Sequence, residues 1–349
     1  MIKEAIANLC QGNDLNWEET EKVLTDIMSG KATSAQISAF LIALKVKGEN
    51  VEEIVGASRG MLKKAVLLKT KKKNFIDLCG TGGDGHATFN ISTVSSFVTA
   101  GAGINVAKHG NRSISSRCGS ADLLEALGFD LSLSNSDIAE KIDETGFGFL
   151  FAPNFHPAMK YAMPPRKEIG VRTIFNIIGP LVNPFRVKRQ LLGVYSLDLL
   201  KTVSKALQML GTERSLVVHS EEGLDEISLS GLTRGILIEE EALEEIEIAP
   251  EDYGFNSCAL DEIKVNSLEE NVRYFMDILK GENGPKRDIV LLNSGAAIFV
   301  SGSARDIKDG IEMARDSIDS GKALNKFSEF IRFYRRKKND LFHGKCFIP

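Results

Sequence analysis

The chain has 349 residues, 43 of them basic and 47 acidic, for a formal net charge of -4. Hydrophobic residues at 43% and charged residues at 26% exclude a disordered, collagen-like or coiled-coil protein, and the slightly acidic balance argues against a nucleic-acid coat. Single cores stop growing at about 250–300 residues, so one large domain with a smaller partner is expected.

No run reaches the ~18 apolar residues of a membrane span. The first residues, MIKEAIANLCQGND, lack the charged-then-apolar layout of a signal peptide. Cys10, Cys79, Cys118, Cys258 and Cys346 are odd in number and scattered, with no CxxC pair. Neither a disulfide framework nor a zinc site is expected, and a reducing cytoplasm fits.

The first 65 or so residues read as helices. Trp17, Val23, Leu24 and Ile27 form an amphipathic series stopped at Gly30. Thr33-Ser-Ala-Gln36 is a capping box ahead of Ile37, Phe40, Leu41 and Leu44. That helix ends at Gly48, and Asn50 can cap the next. Lys63, Lys64, Lys69, Lys71, Lys72 and Lys73 then crowd together, either as a solvated linker or as a rim that attracts polyphosphate.

From residue 75 short apolar runs alternate with helical patterns. The strands expected are Phe75–Cys79, Ile104–Ala107, Gly148–Phe151, Leu191–Tyr195 and Leu216–His219. Helices are expected between them, for example over 90–100, 121–127 and 197–210. This alternation predicts a mostly parallel sheet flanked by helices. Residues 235–268, rich in Glu and Ile, read as a few irregular or antiparallel strands, and 270–338 returns to helical periodicity.

Gly80-Thr-Gly-Gly-Asp-Gly85 follows the first strand, and Asn90-Ile91-Ser92-Thr93 opens the next helix. A glycine-rich turn exposes backbone N–H groups, and a helix start adds unsatisfied donors and partial positive charge. Together they make a phosphate cradle. No Gly-Lys-Ser/Thr follows, and Asp84 inside the loop fits neither the P-loop nor the dinucleotide fingerprint. Its carboxylate can serve ribose hydroxyls or metal-bound water, or simply cap the turn. Asn90 is a good N-cap, and Ser92 can lend a hydroxyl to magnesium.

The second strand leads into Lys108-His109-Gly110-Asn111-Arg112-Ser113-Ile114-Ser115-Ser116-Arg117-Cys118-Gly119-Ser120. Lysine offers a point charge and arginine a fork for phosphate oxygens; Ser120 can cap the helix that follows. Two such loops at the carboxyl ends of consecutive strands, where ligands of parallel sheets bind, suggest a ligand with separated phosphate groups. Asp225-Glu226, after the fifth strand, is an adjacent pair of oxygen ligands suited to magnesium, or an ordinary acidic surface. Arg166, stiffened by Pro164 and Pro165, can clamp a carboxylate. Arg172 competes for that role, and either can instead pair with Glu168. His156 is structural or lines the same pocket.

GTGGDG…TFNIST with KHGNRSISSRCGSADLLEALG closely resembles the anthranilate phosphoribosyltransferases. AQISAFLIALKVKG, HPAMKYAMPPRKEIGVRTIFNIIGPLVNP, GLDEIS and LNSGAAIFVSG extend the resemblance over nearly the whole chain. It implies a nucleoside phosphorylase/phosphoribosyltransferase-class fold, type III-like. A helical domain over 1–70, with part of 164–185 packed on it, would face an α/β domain over 71–349. The lysine-rich linker would serve as a hinge for closure.

The implied reaction joins ribose C1 of phosphoribosyl pyrophosphate (PRPP) to the amine of anthranilate, with Mg²⁺, for tryptophan biosynthesis. The resemblance assigns PRPP to Gly80, Gly83, Asp84, Thr88, Asn90, Ile91, Ser92, Thr93, to Lys108 through Ser116, and to Ser120. It assigns magnesium to Ser92, Asp225 and Glu226, anthranilate to Gly80, Asn111 and Arg166, and catalysis to Lys108, Arg112, Asp225 and Glu226. It also implies a cytoplasmic homodimer with no nucleic-acid or membrane partner. The length leaves no room for a fused glutamine amidotransferase, so anthranilate is expected from a separate protein. Cys118 and Ser220 replace other small residues, with no functional group lost. A nucleoside phosphorylase would need phosphate and no magnesium. A scaffold turned to nucleic-acid binding would show degraded motifs and a basic balance.

Overall fold

Side-chain caps fix the starts of three of the four N-terminal helices. In the computed structural model, which describes residues 1–112 and 118–343, the four are α1 (Ile2–Cys10), α2 (Trp17–Ile27), α3 (Ser34–Lys47) and α4 (Val51–Leu62). Asn16, Thr33 and Asn50 each open a helix with a capping box, the side chain accepting the N3 amide while the N3 side chain returns to the cap amide. Gly48 and Gly30 end the turns behind α3 and α2 at positive φ. Buried Glu53, the N3 residue of α4, also accepts the Leu15 amide at 3.1 Å and the Lys47 ammonium at 3.0 Å. It thereby joins three segments. On α4, a Cβ at Gly60 would lie 2.7 Å from Leu24 Cβ, and one at Gly56 2.7 Å from Thr20 Cβ, so bare backbone is what lets α2 and α4 approach.

The rest alternates strand and helix: β1 (Ile76–Gly80), α5 (Ile91–Gly101), β2 (Val106–Gly110), α6 (Ser120–Ala126), α7 (Asn135–Thr145), β3 (Phe147–Phe151), α8 (Ala152–Phe155), α9 (Met163–Ile169), α10 (Ile174–Ile178), β4 (Arg189–Gly193), α11 (Leu197–Met209) and β5 (Arg214–Ser220). Then come β6 (Thr233–Glu239), β7 (Ala242–Ile248), α12 (Leu268–Leu279), α13 (Pro285–Val300), α14 (Ile307–Asp319) and α15 (Lys322–His343). One sheet runs β3-β2-β1-β4-β5-β6-β7. The first five strands in that order are parallel, and β6 and β7 are antiparallel additions. This is the mostly parallel, helix-flanked sheet expected from the sequence.

Several boundaries differ from the expectation. β2 runs further, through Lys108 to Gly110, because those polar residues are buried, a placement that an apolar-run reading misses. β4 starts earlier, at Arg189. α7 lies between two strands, where a helix is expected, but its own range has no clear apolar signal: its sequence is polar, and its buried face is only Ile138, Lys141 and Ile142. Residues 235–268 resolve into the β6–β7 hairpin followed by 3₁₀ turns at Pro250–Tyr253 and Leu260–Ile263.

One apolar cluster fills the face of the sheet covered by α5, α13 and α15, with Phe97 at the centre of a ring group including Phe147, Phe275, Phe327 and Phe330. The other joins α2, α3 and α4 to α10, α11 and the opposite face, through Cys79, Leu192 and Val217. α9 packs on α3, and α10 on α4. The strand order reverses between β1 and β4, so the crevice beyond their carboxyl ends is the switch point where open α/β sheets take ligands.

Candidate active site

β1 ends at Gly80 and β4 at Gly193, paired in register. A Cβ on Gly80 would collide with the Asp225 carboxylate, and one on Gly193 with the Asp225 carbonyl. Both positions must be glycine for the Asp225-Glu226 loop to lie across the switch point. Sequence reasoning does not single out Gly193, because its partner is 32 residues away and visible only in the fold. Beyond Gly80 the loop turns through Gly82, Gly83 and Gly85, all at positive φ. The Gly82 amide donates to Asp225 Oδ2 at 2.6 Å. Asp84 accepts the His86 amide at 3.3 Å, the turn-capping role, while its charge bears on Asp225.

The next carboxylate, Glu226, accepts the Ser92 amide at 3.2 Å. It thus caps α5 from a distant loop, where the helix start favours negative charge. Asn90, expected to cap with its side chain, makes no cap bond. Its amide oxygen instead accepts from Asn271 Nδ2 at 2.7 Å, and its Nδ2 donates to the Cys118 carbonyl at 3.3 Å. Tertiary partners have outcompeted the local cap. Ile91 and Thr93 are buried and turn their side chains into the core. Thr88 forms a β-bridge with Lys264.

Lys108, buried on β2, donates to the Leu78 carbonyl at 2.6 Å and to Ser92 Oγ at 3.1 Å. Burial pulls its ammonium below the usual lysine range, while Asp77 and Glu226 pull the other way. Burial first, then Asp84, pushes Asp225 up to about 7; burial and Asp225 push Glu226 up to about 8. Crowded acids at these values invite a cation. Beneath them, buried Asp77 accepts the His109 amide at 3.1 Å and Asn183 Nδ2 at 2.8 Å. The His109 ring meets His156 edge to face at 5.3 Å.

The second loop is arranged differently from its expected role. Arg112 grips Glu125 with both nitrogens, at 2.8 and 2.9 Å, and Asp122 at 2.9 Å. Gly110 lets Phe149 and Ser120 approach. Asn111 is exposed, and its carbonyl accepts from Ser120 Oγ at 3.3 Å. Ser120 is the first residue of α6, with Gly119 as the cap, so it does not fill the capping position. Ser113, Ile114, Ser115 and Ser116 lie outside the described residues.

Arg166, on α9, has its guanidinium 4.9 Å from the Phe175 ring and touches Met163 Sδ at 3.7 Å. Among the described residues it has no carboxylate partner, Glu168 included. Among the described residues Arg172 is the arginine that reaches the glycine loop: it donates to the Gly83 carbonyl and lies 4.6 Å over Tyr195. Sequence reasoning also misses Asn293. From α13 it accepts the Ile227 amide at 3.0 Å and donates to the Ile227 carbonyl at 2.8 Å, anchoring the chain directly after the acidic pair. Only its place inside LNSGAAIFVSG hints at it.

Residues 72–324 match a glycosyl transferase family α/β domain, and residues 3–65 the helical bundle domain of the same family. A relative from Persephonella marina, an anthranilate phosphoribosyltransferase, is 49% identical over 95% of this chain and 99% of its own. The chain belongs to the anthranilate phosphoribosyltransferase family. A crystal structure of the Thermus thermophilus family member is similar, with a TM-score of 0.89 and 40% identity over 95% of this chain and 99% of that one. The Saccharomyces cerevisiae member in complex with PRPP and Mg has a TM-score of 0.88 and 28% identity over 96% and 98%. Its complex with 4-fluoroanthranilate gives 0.86 and 29% over the same shares. This family membership accounts for the helical N-terminus, the α/β sheet and the two loops at its carboxyl edge.

Proposed function

We propose that this protein transfers the 5-phosphoribosyl group of PRPP to the amine of anthranilate, giving N-(5-phosphoribosyl)anthranilate and pyrophosphate. The observation that carries the reading is the Asp225-Glu226 loop lying over Gly80 and Gly193, with Glu226 on the Ser92 amide. It brings paired acids, a glycine loop and a helix start into one crevice.

Breaking the C1–diphosphate bond develops positive charge on the sugar and negative charge on the leaving group, as in glycosyl transfer generally. The protein's work is then positional and electrostatic. Amides of the 80–85 turn and the start of α5 hold PRPP, with the second loop, Lys108 to Ser116 and Ser120, completing the cradle. Lys108 supplies a buried positive charge beside it. Arg112 can serve the diphosphate once it exchanges Glu125 for phosphate oxygens. Asp225, Glu226 and Ser92 fit Mg²⁺, which takes oxygen donors and keeps several waters. A magnesium ion held there neutralises the departing diphosphate. Arg166, half-buried and, among the described residues, free of carboxylates, suits the anthranilate carboxylate, with Gly80 and Asn111 beside the ring. The amine is weakly basic and needs no deprotonation before it attacks C1 from the face opposite the diphosphate, with inversion; the proton it sheds afterwards passes to water or to the released diphosphate.

The same reading includes a helical domain over 1–70 with part of 164–185, an α/β domain over 71–349, closure between them, a homodimer formed through the helices, and a cytoplasmic location. In support, no helix among the described residues is long and apolar enough to cross a membrane, and Val46 on α3 is 82% exposed. The test follows anthranilate fluorescence. Its loss must require both PRPP and Mg²⁺; ribosyl-bond cleavage that needs phosphate and no magnesium would instead identify a nucleoside phosphorylase.

A further inference from the structure

At the amino ends of β1 and β4, the opposite edge of the sheet from the acidic pair, lies a groove of about 490 Å³. Two chain segments form most of it, 68–75 entering β1 and 185–189 entering β4. They bring in Lys69, Lys72, Lys73, Arg186 and Lys188. Among the described residues none of these five has an ion-pair partner. The lining holds one carboxylate, Glu213, and that lies 3.7 Å from Arg189. Lys188 donates to the Gly211 carbonyl, which leaves its charge uncompensated. Between the cations the wall is apolar, with Phe75 and Phe185 edge to face at 5.1 Å flanked by Leu68 and Val187.

Like charges converging on a concave surface repel one another, and the fold holds them there. Asp143 accepts the Lys71 amide at 2.7 Å, and Asn105 Nδ2 donates to the Lys73 carbonyl at 2.9 Å. Each segment also carries a non-glycine residue at positive φ, Asn74 at 56° and Arg186 at 48°, a conformation of some cost for arginine.

We propose that this groove binds an organic polyanion of the nucleoside di- or triphosphate class. The phosphates meet the five cations, and a planar ring meets the Phe75–Phe185 wall. A small molecule is favoured over nucleic acid because the volume lies in the range of small-ligand pockets, ~300–1,000 Å³, and the chain as a whole is acidic. With no free acidic pair in its lining, the groove binds without a divalent cation. That separates it from the site at residues 80–93 and 225–226.

The test is calorimetric titration of the full chain in EDTA with ATP, sodium tripolyphosphate, adenosine and single-stranded RNA, repeated on Lys72→Glu/Lys188→Glu. ATP is expected to bind once per chain, to weaken with added salt, and to lose at least tenfold in affinity in the double variant. Tripolyphosphate should bind more weakly than ATP, and adenosine not at all. Without ligand, the variant's far-UV circular dichroism and melting temperature should match the parent's. Should charge reversal unfold the chain, Lys72→Gln/Lys188→Gln makes the same comparison. The proposal is overturned by no ATP binding, by binding unchanged in the variants, by tripolyphosphate matching ATP, or by tighter binding of single-stranded RNA through the same two lysines.

Discussion

Arg166 and His156 show how much a single side chain's surroundings decide. Arg166 sits beside Phe175 and Met163, and burial pulls its guanidinium below the usual range. A charge-assisted fork to a substrate carboxylate there is worth ~1.5–3 kcal/mol. Arg166→Ala is therefore expected to raise the anthranilate KM by ~10–100-fold and leave the PRPP KM nearly unchanged. Steady-state kinetics varying each substrate checks this, and an unchanged anthranilate KM removes Arg166 from the acceptor site. His156 bonds the Val182 carbonyl at 2.9 Å, and burial pushes it down to about 4, as burial pushes His109 down to about 3. In the unfolded chain histidine takes up a proton near 6.5. Each ring thus contributes stability that is complete above pH 6.5 and is lost as pH falls towards the folded value. Burial raises Asp77 to about 6, and the sign is opposite: its contribution to stability grows as pH falls from 6 to 4. Two histidines against one aspartate leave a net loss of ~1.4 kcal/mol per pH unit from these three groups on acidification. In His156→Gln the slope of unfolding free energy between pH 6 and 4, measured in urea, should fall by about that amount.

At the level of elements, the anchors of the acidic loop lie far from it in the chain. Asn293 on α13 satisfies both backbone groups of Ile227, so Asn293→Ala leaves a buried amide and carbonyl unpaired and loosens Asp225 and Glu226. Residues that orient metal ligands commonly affect affinity 10–100-fold. The Mg²⁺ concentration for half-maximal activity is expected to rise by ~10-fold or more in this variant, with the anthranilate KM little changed. The α2–α4 contact is the counterpart in the helical region. A side chain at Gly56 would meet Thr20 and the Trp17 carbonyl, so Gly56→Val should destabilise the protein by ~1–3 kcal/mol, read as a lower denaturation midpoint. Gly12→Ala tests positive φ instead, since a Cβ there meets nothing within 4 Å.

For the whole molecule, ligand binding and folding are linked. PRPP with Mg²⁺ at ~100 times its dissociation constant should add ~2.7 kcal/mol of stability, seen as a raised melting temperature. Leaving out magnesium, or changing Asp225→Asn with Glu226→Gln, should remove most of that shift. Local chemistry was legible in the residues themselves: the Thr33 and Asn50 caps, the glycine-rich turn of 80–85, the strand–helix alternation, and the family motifs across the chain. Each depends on neighbours a few positions apart. What only the tertiary structure decided is which distant groups meet: Asp225 over Gly80 and Gly193, Glu226 capping α5, Asn90 drawn to Asn271, Arg112 held by Glu125, and Arg172 rather than Arg166 on the glycine loop. A hydrogen bond or a close approach between such residues depends on how whole elements pack. No local pattern of spacing carries that information.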